Sequence, residues 1–162
     1  MILTNKQEEG LRIAVSRYKM GEPYTCISGY AGTGKTSMMA ALVQAYKELQ
    51  QKVVLLAPTG RAAKVLSRYA HTPAYTIHKF IYRQKKLGEE VFSLNDNLYK
   101  HTLFIVDESS MISDIRDNQT FGSGILLDDL VKYVYSGDGC SLLLLGDNAQ
   151  LPPIGTELSP AL

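Results

Sequence analysis

The sequence predicts an α/β domain of three layers, with a mainly parallel sheet between two layers of helix. Three observations carry this. Residues 53–57 (VVLLA), 103–106 (LFIV) and 141–145 (SLLLL) are short apolar runs without alternation, which is how strands covered on both faces read. Segments with apolar residues at helical spacing separate them. A glycine-rich stretch, residues 29–36, stands between a β-leaning run and a helix-forming one, the setting in which such a loop binds phosphate.

Taken in order, residues 4–18 place Leu11, Ala14, Val15 and Tyr18 at helical spacing, and Gly21 and Pro23 end that helix. Residues 24–28 (YTCIS) form the first strand, and 37–46 (SMMAALVQAY) favour a helix spanning 36–50. The strand at 53–57 stops at Pro58, which cannot extend a central ladder. Further helices are expected over 61–69, 77–83 and 125–134, each after a strand. Residues 85–102 and 114–124 are rich in turn-forming side chains and read as loops. Within 89–99 two short β-like pieces flank such residues, so a hairpin is expected there. The chain runs out soon after Leu151, Pro152 and Pro153 with no closing helix, and a fragment of a longer protein is the expectation.

At 162 residues the chain is expected to form a single domain, 1–162, with a real core. Its 45% hydrophobic and 20% charged content is ordinary for a globular protein, and the net charge of +1 supplies no global field for nucleic acid. Any such surface must be local. Cys26 and Cys140 lie far apart in or beside apolar runs and read as small buried residues in a reducing compartment. No apolar run approaches membrane-spanning length, and the N-terminus lacks the build of a signal peptide. A cytoplasmic protein without a membrane partner is expected.

Residues 29–36 (GYAGTGKT) match GxxxxGK[ST] at every fixed position. Gly29, Gly32 and Gly34, with Ala31 and Thr33 between them, let backbone N–H groups turn inward on phosphate oxygens at a helix N-terminus. Lys35 is then placed to reach the β- and γ-phosphates, and Thr36 to ligate Mg²⁺. An ordinary glycine-rich turn is the alternative, and the strand and helix on either side weigh against it. Asp107 and Glu108 end the apolar run at 103–106. One carboxylate at a strand tip can hold Mg²⁺ and a second can orient or deprotonate the attacking water, so Asp107 takes the metal role and Glu108 the base. Gln150 follows the strand at 141–145 and can hydrogen-bond the γ-phosphate or the water from a strand's carboxyl end; a plain turn explains it too.

Six stretches in order resemble the first, RecA-like motor domain of superfamily 1 DNA helicases, in the RecD/Dda-like group that moves 5′ to 3′. They are LTNKQ at 3–7 (the Q motif), GYAGTGKT at 29–36 (motif I), APTGRAAK at 57–64 (motif Ia), TIHK at 76–79 (motif Ic), VDESSM at 106–111 (motif II) and GDNAQLPP at 146–153 (motif III). The resemblance covers nearly the whole chain.

That resemblance implies ATP with Mg²⁺ as fuel and single-stranded DNA as track. Gln7 would read the adenine edge; Thr4 and Gln7 also fit a capping box. Pro58, Thr59 and Arg61 would meet the DNA backbone, although Thr59 can equally cap the next helix. Thr76 and His78 would touch DNA as well, with a satisfied structural role as the rival for His78. Gln150 would couple phosphate state to DNA grip. Lys79, Arg83, Lys85 and Lys86 interleave with Phe80 and Tyr82, as in single-strand binders, but a solvated helix face explains them equally well. An insertion at 85–102 would correspond to the duplex-splitting pin of the group. The group carries a further ATP-site arginine on a second RecA-like domain, so this chain alone is expected to bind ATP·Mg²⁺ yet hydrolyse it slowly. RecD-like proteins also serve as subunits of exonuclease complexes, which makes such subunits candidate partners. Two other readings keep the phosphate loop: a nucleotide kinase, and a non-catalytic ATP-dependent DNA-binding or regulatory module.

Overall fold

In the computed structural model the described residues are 4–19, 25–30, 32–84, 91–113, 121–147 and 161. Among these described residues there are seven strands, β1 (Thr25–Ser28), β2 (Lys52–Ala57), β3 (Ala74–Thr76), β4 (Tyr82–Gln84), β5 (Phe92–Leu94), β6 (Thr102–Val106) and β7 (Ser141–Gly146). The same residues hold five α-helices: α1 (Asn5–Lys19), α2 (Lys35–Glu48), α3 (Gly60–Ala70), α4 (Ile77–Ile81) and α5 (Leu126–Ser136). A 3₁₀ turn, Ser109–Met111, follows β6.

The main sheet runs β1-β7-β6-β2-β3, and every neighbouring pair is parallel. Side chains of a strand alternate between faces, and here both faces are covered. Val54, Leu56, Phe104, Val106, Leu142 and Leu144 pack with residues of α4 and α5. Leu55, Ala57, Leu103, Ile105, Leu143 and Leu145 pack with α2 and α3. All five residues of β6 are buried, which is why that run is apolar without interruption. Phe104 centres one face, with ring edges from Phe80, Tyr99 and Tyr133 at 6.2, 5.7 and 6.0 Å. Truncating it to alanine is expected to cost about 3–5 kcal/mol. The three-layer α/β architecture thus agrees with the sequence reading.

The expected helix over 77–83 is shorter. It ends at Ile81, and Tyr82 turns extended (φ −112°, ψ 150°) to open β4. Two tertiary partners override the helical periodicity: the antiparallel ladder to β5, with Tyr82 opposite Leu94, and the Tyr82 hydroxyl donating to Asp129 at 2.8 Å. The hairpin expected within 89–99 is corrected accordingly. Its second piece is not a strand; Phe92–Leu94 pairs backward with β4 instead. The loop reading of 85–102 therefore missed β5. Residues 85–90 and 114–120 lie outside the described residues. Asn97 replaces a turn with a structural contact, its amide donating to the carbonyls of Tyr133 and Val134 at 2.9 and 3.1 Å.

Candidate nucleotide and nucleic-acid site

The sheet brings its loops together at one end. β1 leads through Gly29 and Tyr30, then Gly32 and Thr33, into α2 at Lys35. Gly29 N–H donates to the Gly146 carbonyl at 3.2 Å, tying the loop to the end of β7. Thr33 closes the turn, its hydroxyl donating to the Tyr30 carbonyl at 2.7 Å. Gly32 and Gly34 have φ of 78° and 81°, a region glycine enters without steric cost. Gly34 is doubly constrained, because a Cβ there would collide with the Gln7 amide. The first turn of α2 has no acidic side chain and its start has no side-chain cap, leaving its N–H groups and dipole to meet an anion. Ala31 lies outside the described residues.

Lys35 Nζ donates to the carbonyls of Gly29 and of Tyr30, the latter at 3.0 Å. It also lies 3.9 Å from Asp147 Oδ2, a carboxylate only 2% exposed at the end of β7. Asp147 was missed as a site residue from sequence. The available signal was its place, directly after an apolar strand, as Asp107 is after β6.

Asp107 N–H donates to the Leu56 carbonyl at 3.0 Å, and its Oδ1 accepts from Glu108 N–H at 3.0 Å. Burial raises the Asp107 carboxyl above its ordinary value; the Glu108 N–H opposes that, the Glu108 charge adds to it, and the Lys35 ammonium opposes it. Glu108 itself is left-handed, φ 56°, at a strain of about 1–3 kcal/mol for a side chain of this kind. Beyond it Ser109 is fully buried, and its hydroxyl has no hydrogen-bond partner among the described residues.

A cleft of about 360 Å³ collects Thr36, Asp107 and Glu108 with Thr59, Arg61 and Met111. The hydroxyl of Thr36 and the carboxylate of Asp107 are hard oxygen donors of the kind Mg²⁺ takes, with nucleotide phosphates completing its shell. Among the described residues no group of three or more His, Cys, Asp or Glu side chains forms a closed metal cage.

Gln7 is held from two sides. Thr4 N–H donates to its Oε1 at 2.9 Å, and Gln7 N–H reaches Thr4 Oγ1 at 3.4 Å, so the capping box is present. Its Nε2 donates to the carbonyl of Thr33 at 3.1 Å and reaches that of Gly34 at 3.4 Å. The side chain therefore lies at the phosphate loop.

Of the residues expected to meet DNA, three line clefts, and those three divide between two of them. Thr59 and Arg61 line the one above, and Thr59 Oγ1 accepts from Ala62 N–H at 3.2 Å as the cap of α3. Pro58 is half-buried in the bend between β2 and α3. Thr76 caps α4, accepting from Lys79 N–H at 3.3 Å. His78 lies in a second cleft of about 220 Å³ with Tyr82, Met111, Ser113 and Phe121; its ring meets the Phe121 edge at 5.1 Å. Met111 belongs to both clefts. Gln150 lies outside the described residues.

A parallel sheet with a glycine loop at one strand end and paired carboxylates at another defines a P-loop nucleoside-triphosphate-binding domain. The chain belongs to the AAA domain family, whose pattern matches residues 3–158, and stands there with the RecD/Dda-like superfamily 1 motor domains. It is 30% identical over 157 residues to the ATP-dependent DNA helicase dda of Enterobacteria phage T4, covering 94% of this chain and 33% of that protein. It is 32% identical over 139 residues to the ATP-dependent RecD2 DNA helicase of Deinococcus radiodurans, covering 85% of this chain and 17% of that one. Its fold is that of the Pif1 helicase crystal structure from Candida albicans, with a TM-score of 0.58 at 21% identity over 95% of this chain and 34% of that chain. The chain thus spans about a third or less of the length of these relatives. Among the described residues no helix is long and apolar enough to cross a membrane.

Proposed function

We propose that this chain is the ATP-binding motor domain of an ATP-dependent 5′-to-3′ DNA helicase, one that hydrolyses ATP to move along single-stranded DNA. The observation that carries it is the meeting of Thr36, Asp107 and Glu108 in one cleft, next to the loop that holds Lys35. In this reading Thr36 and Asp107 would hold Mg²⁺, which would supply positive charge to the phosphates of ATP during γ-phosphoryl transfer. The P-loop backbone cradles the phosphates. Lys35 exchanges the Gly29 and Tyr30 carbonyls and Asp147 for phosphate oxygens. Glu108, fixed in an unfavourable backbone conformation by the 3₁₀ turn behind it, orients the attacking water and accepts its proton. Single-stranded DNA and a second RecA-like domain are the partners this mechanism needs, the latter to supply the additional cation at the transition state.

The test is ATP hydrolysis by the full-length protein with and without single-stranded DNA. Hydrolysis stimulated by DNA and lost in Lys35→Ala supports the motor. Lys35-dependent hydrolysis indifferent to DNA removes it. Glu108→Gln should keep nucleotide binding and lower turnover by about 10²–10⁴.

A further inference from the structure

We propose that Arg61 is a catalytic residue of the nucleotide cleft, taking an oxygen of the terminal phosphate, in place of the DNA contact that its motif implies. The assignment rests on the nucleotide-site reading above and extends it by one residue.

The sheet register puts Arg61 there. Leu56 of β2 lies opposite Val106 of β6, and Asp107 N–H donates to the Leu56 carbonyl at 3.0 Å. The chain leaving β2 toward Arg61 and the chain leaving β6 toward Glu108 therefore depart side by side. Arg61 then falls in the first turn of α3, which contains no acidic side chain to neutralise it. Its guanidinium makes no hydrogen bond or ion pair with any other described residue. Yet it lines the same cleft as Asp107 and Glu108.

Arg61 and the two carboxylates share this cleft without pairing, so charge of each sign is open to a ligand there. A metal-bound phosphate satisfies both at once. The cation goes to the acidic wall and the oxyanion to the basic one, where arginine's planar fork suits phosphate geometry. A DNA backbone phosphate offers the same oxygen chemistry. It would have to approach beside Asp107 and Glu108, whose like charge repels it; the nucleotide's phosphate arrives with its own metal.

The two sources of phosphate separate in binding measurements on the full-length protein. Affinities are measured for Mg²⁺·ADP, for Mg²⁺ with a non-hydrolysable ATP analogue, and for a fluorescent oligothymidylate. In Arg61→Ala the ATP analogue should bind about tenfold more weakly or worse, as for loss of a charged hydrogen bond. ADP and oligothymidylate should be nearly unaffected. Arg61→Lys should recover part of the loss, since charge remains and the fork does not. Arg61 is exposed, so an unchanged melting temperature is expected of both variants. Weakened oligothymidylate binding with an intact ratio of ATP analogue to ADP would overturn the assignment in favour of a DNA contact. No change in any ligand would reduce Arg61 to a solvated surface charge. Nucleotide binding that is absent in wild type, or that survives Lys35→Ala, would instead remove the nucleotide site on which the assignment stands.

Discussion

Replacing Gln7 by alanine separates two tasks that one amide can perform. To read adenine, Gln7 would use its Nε2 and Oε1 on the base edge. In the structure those atoms are engaged, Oε1 by Thr4 N–H at 2.9 Å and Nε2 by the Thr33 carbonyl at 3.1 Å, with Gly34 at 3.4 Å. Each net hydrogen bond of this kind contributes about 0.5–1.5 kcal/mol. The bond from Thr4 stays within the start of α1, so one good bond and a marginal second form the tether between α1 and the phosphate loop, at about 0.5–2 kcal/mol, or roughly 2–30-fold in an equilibrium constant. If the loop must be held in this form to receive phosphates, Gln7→Ala weakens ATP and GTP by the same factor within that range. The assay is equilibrium titration of both nucleotides, with inorganic tripolyphosphate as a base-free control that should weaken in parallel. An unchanged GTP and tripolyphosphate affinity with a selective loss of ATP would refute the tether and leave Gln7 as a base reader alone.

Other outcomes follow from the same geometry. The Asp107 carboxyl is raised in the fold, chiefly by burial. The stability tied to its neutral form is therefore present at pH below the unfolded value and is lost as pH rises through the raised one. Asp107→Asn should accordingly melt no lower than wild type at neutral pH without Mg²⁺, while losing Mg²⁺-dependent nucleotide affinity; a lower melting point would contradict the burial argument. Tyr82→Phe removes a 2.8 Å hydrogen bond to Asp129, a carboxylate 3% exposed, and should cost about 1.5–3 kcal/mol, read as a fall of several degrees in thermal unfolding. Tyr82→Phe and wild type melting together would show that Asp129 finds compensation, as from the Ser123 N–H already at 2.8 Å. For the pin reading, deleting 89–98 would also strip Phe92, stacked on Phe121 at 4.8 Å, and the Asn97 contacts to α5. Shortening 85–90 instead leaves those intact, and should lower duplex unwinding while sparing translocation if the hairpin splits strands; unwinding at the wild-type rate would exclude that role.

Much of the architecture was legible because burial on both faces writes a plain signal. The runs at 53–57, 103–106 and 141–145 favoured one structure, since an apolar run of four or five residues between loops is too short for a helix and too greasy for an exposed edge. The phosphate loop and the Asp107-Glu108 pair were legible for another reason: their chemistry restricts residue type at fixed spacing. What was not legible depends on partners remote in sequence. Nothing near Tyr82 announces that Asp129, 47 residues on, will pull it out of a helix. β3 is three residues long and leaves no period to read. Thr59 carried a local capping signal and a family signal at once, and Thr76 only the family signal; in both, the cap is what the described contacts display. Asp147 was hidden because its motif drew attention to Gln150 three residues later.

Met111 forms part of the wall of both clefts and is 48% exposed. The turn that carries it begins one residue after Glu108. It behaves as a party wall: floor space gained on one side is surrendered on the other. Should nucleotide in the first cleft and a ligand beside His78 prefer different positions of that wall, each must alter the other's affinity by an equal factor, because such coupling is reciprocal. The distance over which chemistry and grip would have to communicate is then a single helical turn.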